Sequence, residues 1–73
     1  MPPARATELY AMARAGVLPA EALPGVMRWQ LVAELHREGW TDAQIASHTS
    51  MTEYTTGRIR AGMNLKANRG VNG

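Results

Sequence analysis

Glycine and proline punctuate this chain at intervals too short for anything but small helices. Gly16, Pro19, Pro24, Gly39 and Gly62 fall between runs whose apolar residues recur every three or four positions. Proline lacks the amide proton that a helix interior needs, and glycine readily takes the left-handed conformation that ends a helix. No run carries a strand signal. The expectation is an all-α fold, a small tri- or tetrahelical bundle with short connections.

The runs can be placed in turn. The first predicted helix covers residues 7–15, with Thr7 as its cap, Glu8 in its first turn, Leu9, Met12 and Ala13 on one stripe, and Gly16 closing it while Val17 folds back on Met12. Residues 20–23 allow a single turn between the two prolines. A second helix is predicted over residues 26–38, with Met27, Leu31, Val32 and Leu35 facing inward, and Gly39 ends it so that Trp40 reaches back to Leu35. The third begins at Thr41, where Thr41-x-x-Gln44 is a capping box and Trp40 and Ile45 hold the positions of a hydrophobic staple. It ends near His48 or Thr49. The fourth runs from Thr52 to Ala61 or Gly62, with Gly62 as its stop and Met63 and Leu65 packing back.

With 73 residues and no cysteine, the chain forms one domain that lacks disulfides and thiolate metal sites. A domain of this size buries only about 60% of its unfolded surface, so its core is thin. Residues 1–65 are expected to form the helical unit and residues 66–73 a flexible basic tail. No signal-peptide run and no stretch near the roughly 20 apolar residues of a membrane span are visible. A cytoplasmic protein without membrane partners is expected. The net charge of +2 is uneven. Four arginines and four glutamates cancel over residues 1–38, whereas Arg58, Arg60, Lys66 and Arg69 outweigh Asp42 and Glu53 beyond them. Positive charge gathered on one segment suits a polyanion, although a solvated tail explains it equally well.

That charge adjoins the hydroxyl-rich stretch TDAQIASHTSMTEYTTGRIR. With Ile59 inward on a helical wheel, Thr52, Thr55, Thr56 and Met63 fall within about 60° of it. Small, stiff threonines suit close helix contact, and backbone carbonyls or a cap position can satisfy their hydroxyls. The opposite face holds Tyr54, Gly57 and Ala61, with Arg58 on one edge and Glu53 and Arg60 on the other. Gly57 costs roughly 1 kcal/mol relative to alanine in mid-helix; close approach to a groove would offset that cost, and an exposed helix on which Gly57 is incidental is the alternative.

Residues 42–61 resemble the bacterial and phage helix-turn-helix DNA-binding motif. Ile45 and Ala46 stand where that motif has an aliphatic residue followed by alanine, Met51 at its apolar position after the turn, and Ile59 at the inward aliphatic of the recognition helix. Ser50 occupies the turn position usually held by glycine, and Thr49 and Thr56 replace larger aliphatics. Residues 26–65 are also similar to small actinobacterial and actinophage regulators, LuxR-type domains and sigma-factor C-terminal regions. The resemblance implies a helix-turn-helix at residues 41–62, with residues 52–61 in the major groove of double-stranded DNA. Thr52, Glu53, Tyr54, Gly57 and Arg58 would then meet base edges. Thr41, Gln44, Ser50, Thr55, Arg60, Lys66 and Arg69 would meet phosphates. For Thr41 and Thr52 a capping role is sufficient by itself. A homodimer or RNA polymerase would supply further affinity, with Leu9, Tyr10 and Met12 serving either as the dimer surface or as core.

No catalytic constellation, metal site or cofactor motif appears. His36 and His48 lack companion ligands and are expected to be exposed and structural, and Tyr10 and Trp29 to pack. The sequence therefore points to a non-enzymatic, sequence-specific DNA-binding regulator of phage or bacterial transcription. The alternative is a helical protein-interaction module, a polymerase adaptor or inhibitor that does not read DNA.

Overall fold

Each helix of this chain stops at a residue in the left-handed conformation. The computed structural model describes residues 2–68, with side chains from residue 6. In it, α1 (Pro2–Arg14), a single 3-10 turn (Ala20–Ala22), α2 (Gly25–Arg37), α3 (Asp42–Thr49) and α4 (Glu53–Gly62) follow one another. The stops are Gly16 (φ 82°), Gly39 (φ 97°), Ser50 (φ 60°) and Asn64 (φ 61°). After each, the next amide donates to the carbonyl five residues back: Val17 to Met12, Trp40 to Leu35, Met51 to Ala46 and Leu65 to Arg60, at 2.9–3.1 Å. This is the Schellman pattern, which satisfies carbonyls that the helix itself leaves open. Sequence located Gly16 and Gly39 correctly. Gly62, expected as the stop of α4, is instead its last helical residue. The position matters for space, because a Cβ there would lie 3.0 Å from the Trp29 ring.

Ser50 is the costly stop, since an L-residue in this conformation loses roughly 1–2 kcal/mol and glycine does not. Part of that gain is offset by the greater freedom of glycine when unfolded. Ser50→Gly is therefore expected to stabilise the fold by about 0.5–1 kcal/mol. The effect should appear as a higher urea midpoint with an unchanged slope.

The helix starts follow their caps. At α3 the full capping box forms: the Gln44 amide donates to the Thr41 hydroxyl at 3.2 Å, and the Thr41 amide to Gln44 Oε1 at 2.9 Å. At α4 the Thr55 amide donates to Thr52 Oγ1 at 3.0 Å. α1 departs from expectation by beginning at Pro2, so Thr7 lies inside the helix and does not cap it. Proline is tolerated there because the first amides of a helix have no intrahelical acceptor.

Helix α2 is central and meets every other element. Its Leu31, Val32 and Leu35 are fully buried with Ile45 of α3, while Ala13, Ala20, Leu23, Met51 and Ile59 close the core around them. Leu9, Tyr10 and Trp40 pack against this cluster from its rim. Of the three residues weighed for a dimer surface, Leu9 and Tyr10 thus turn to the core and Met12 remains exposed. Arg14 on α1 bonds Glu38 and approaches Glu34 at 3.8 Å on α2.

The Tyr10 hydroxyl is buried at this helix pair, close to the Glu34 carboxylate. Burial first, and then the Glu34 carboxylate, push the phenol from 10.0 up to about 12. A raised acid pKa favours the folded state while the unfolded phenol is still protonated. This contribution is complete below pH about 10 and is lost as pH rises through about 12. In a Tyr54→Phe background, the phenolate absorbance of the folded chain should therefore titrate later than that of the urea-unfolded chain.

Both histidines, expected to be exposed, are half-buried and hold backbone carbonyls distant in sequence. His48 Nε2 donates to the Arg14 carbonyl at 2.6 Å, and its ring meets Trp40 edge-on with centroids 4.9 Å apart. His36 Nε2 donates to the Lys66 carbonyl at 2.5 Å. Asn68 Nδ2 donates to the carbonyls of His36 and Trp40 at 2.8 and 2.9 Å. Residues 66–68, expected to belong to the tail, are thus tied to the end of α2 and to Trp40. Arg69 and the rest of the expected tail lie outside the described residues.

Candidate nucleic-acid interface

Two buried threonines fix how α4 sits on its neighbours. Thr49 and Thr56 are both fully buried, on α3 and α4. Each hydroxyl donates to the carbonyl four residues back in its own helix, Thr49 to Ile45 at 2.6 Å and Thr56 to Thr52 at 2.9 Å. With no unmet polar demand, these positions accept close contact where a larger aliphatic would hold the helices apart. Residues 50–52 join the two helices, and Met51 reaches the core from this turn.

The burial of Thr56 together with Ile59 sets the inward direction between them, about 30° from where Ile59 alone would place it. Thr55 then falls outside the inward face and is exposed. Thr52 is exposed as well, because as a cap it has extended backbone (φ −85°, ψ 158°) and lies off the helical wheel. The inward placement expected for these two threonines is thus corrected. Their hydroxyls bond each other at 3.0 Å, at the exposed start of α4.

The outward side of α4 is occupied by Tyr54, 73% exposed, with Glu53 and Arg58 beside it. The Arg58 guanidinium lies over the Tyr54 ring, 5.8 Å from its centroid. Gly57, expected at the open centre of this side, is half-buried. A Cβ on it would meet Asp42 Oδ2 at 3.4 Å and Arg60 Nη2 at 3.7 Å. The open stripe is therefore shifted toward Tyr54 and Arg58.

Arg60 also differs from its expected place on phosphate. Its Nε donates to both Asp42 carboxylate oxygens, at 2.9 and 3.0 Å, and its Nη1 to the Leu65 carbonyl at 2.8 Å. Both side chains of the Arg60–Asp42 pair are about four-fifths buried. The pair locks the end of α4 to the start of α3 and neutralises one of the cations that the sequence counts toward a basic surface. Thr41 and Gln44 bond each other in the α3 cap. Ser50 and Lys66 are exposed. Sequence alone gives no sign of these bonding roles for Asp42 and Asn68, since their partners lie 18 or more residues away.

Among the described residues no group of three or more acidic, histidine or cysteine side chains could hold a metal ion. No helix among them is long and apolar enough to cross a membrane. No family model, curated protein or solved structure matches this chain.

Proposed function

We propose that the protein is a sequence-specific DNA-binding regulator of phage or bacterial transcription, acting in the bacterial cytoplasm, and that α3 and α4 form a helix-turn-helix. The observation that carries this reading is the sidedness of α4: Thr56 and Ile59 are buried while Glu53, Tyr54 and Arg58 project from the other side. An α-helix fits the major groove of B-DNA, where arginine can pair with guanine and glutamate can accept from cytosine. Helix N-termini favour phosphate, and the α4 start at Thr52 and Glu53 is exposed. Lys66 adds an exposed cation. A single module of this kind makes a small interface, so a second copy or RNA polymerase supplies the remaining affinity.

Fluorescence anisotropy with random duplex DNA at two salt concentrations tests the proposal. Binding that weakens steeply with salt is expected, because each neutralised phosphate releases counterions. Absence of binding at low salt would instead favour the second reading, a protein-interaction module that engages polymerase without reading DNA. The observation on its side is the apolar start of α2, where Val26 is 81% and Trp29 42% exposed.

A further inference from the structure

We infer that Tyr54 and Arg58 read guanine as one unit, with Tyr54 the positioning residue that holds the Arg58 guanidinium in the plane where it can pair. This rests on the DNA-binding reading and adds to it the base recognised and the residue that sets the preference.

Arg58 is exposed, and no carboxylate among the described residues is paired with it. Its contact with another side chain is the Tyr54 ring, one helical turn earlier, at 5.8 Å. An exposed arginine normally samples many rotamers, and ordering it costs affinity on binding. A guanidinium resting on an aromatic face has lost part of that freedom beforehand. Its fork then projects with a defined orientation, which bidentate pairing to O6 and N7 of guanine requires. Tyr54 itself is 73% exposed, so its ring is not there to fill the core. The other arginine of α4 is unavailable, because Asp42 and Leu65 hold Arg60. The guanine preference of the helix therefore falls on the Tyr54–Arg58 pair.

The experiment begins with selection of duplexes from a random pool by the wild-type chain. The guanine of each selected site is then replaced singly by 7-deazaguanine, which lacks the N7 acceptor, and the loss of affinity is measured. One guanine is expected to show a penalty on the order of tenfold or more. Arg58→Ala should abolish that penalty. Tyr54→Ala should reduce it by about two- to fivefold, whereas Tyr54→Phe, which keeps the aromatic face, should retain it. Circular dichroism melting checks that these exposed substitutions leave the fold intact. A penalty undiminished in Tyr54→Ala would overturn the inference, as would Tyr54→Ala and Arg58→Ala relaxing different base positions. Duplex binding without any preferred guanine would also overturn it and leave DNA binding itself standing. A wild-type chain that binds no duplex would remove the DNA reading and this inference together.

Discussion

Truncating Ile45 to alanine is expected to cost about 2–5 kcal/mol of folding stability, the range for removing a large buried aliphatic. Ile45 is 0% exposed and belongs to the cluster that α2, α3 and α4 share. Leu31 and Leu35 of the same cluster are branched and buried, so the cavity has little means to collapse. Single domains carry roughly 0.05–0.15 kcal/mol per residue, which for a chain this short means roughly 4–11 kcal/mol in all. The substitution thus removes between a fifth and all of what holds the fold. Urea denaturation should show a large fall in midpoint with little change in slope. Thr56→Val makes the contrast. Thr56 is equally buried, but the Thr52 carbonyl also accepts the Thr56 amide at 3.0 Å and keeps that bond when the hydroxyl is lost. That change should alter the stability by under about 1 kcal/mol, with a correspondingly small shift in midpoint.

Local signals were the legible ones. The capping box of Thr41 and Gln44 needs only residues three apart, and both of its bonds form. Gly16 and Gly39 close their helices because a left-handed residue after an apolar stripe is a local pattern too. The apolar period of α2 likewise identified Leu31, Val32 and Leu35 as core. Contacts across the chain left no such trace. Asp42 and Arg60 carry ordinary local roles, a helix start and an edge cation, and only folding brings them to 2.9 Å. Asn68 reads as part of a polar tail until folding places the carbonyls of His36 and Trp40 beside it. Gly62 looked like a helix stop because glycine usually is one, yet the Trp29 ring claims the space next to it and Asn64 makes the turn. The same distinction applies to the candidate interface. Periodicity placed Thr56 and Ile59 inside and Tyr54 outside, while the occupation of the Gly57 flank by the Asp42–Arg60 pair depended on tertiary packing.

The two arginines of α4 look alike in the sequence, and the structure separates what their loss should do. Arg58→Ala should leave the melting temperature essentially unchanged, because Arg58 is exposed and its contact with Tyr54 is a surface one. Its duplex affinity should fall by roughly 1–3 kcal/mol, the discrimination that one bidentate base contact supplies. The salt slope should barely move if the contact is to a base, and should become shallower by about 0.9 if it is to a phosphate. Arg60→Ala should behave in the opposite way. It removes charge-assisted bonds to Asp42 and Leu65, for which a loss of about 1.5–3 kcal/mol in stability is expected. Asp42 lies in the first turn of α3, where the helix end tolerates an unpaired carboxylate, so the lower part of that range applies. Because the pair joins the end of α4 to the start of α3, Asp42→Ala should reproduce most of the effect, and the double substitution should cost less than the sum of the two. Duplex affinity should then follow stability in both variants. An Arg60→Ala chain that melts like the wild type yet binds duplex as weakly as Arg58→Ala would return Arg60 to the phosphate contact that the sequence suggested, and would mean that the link to Asp42 opens when DNA is present.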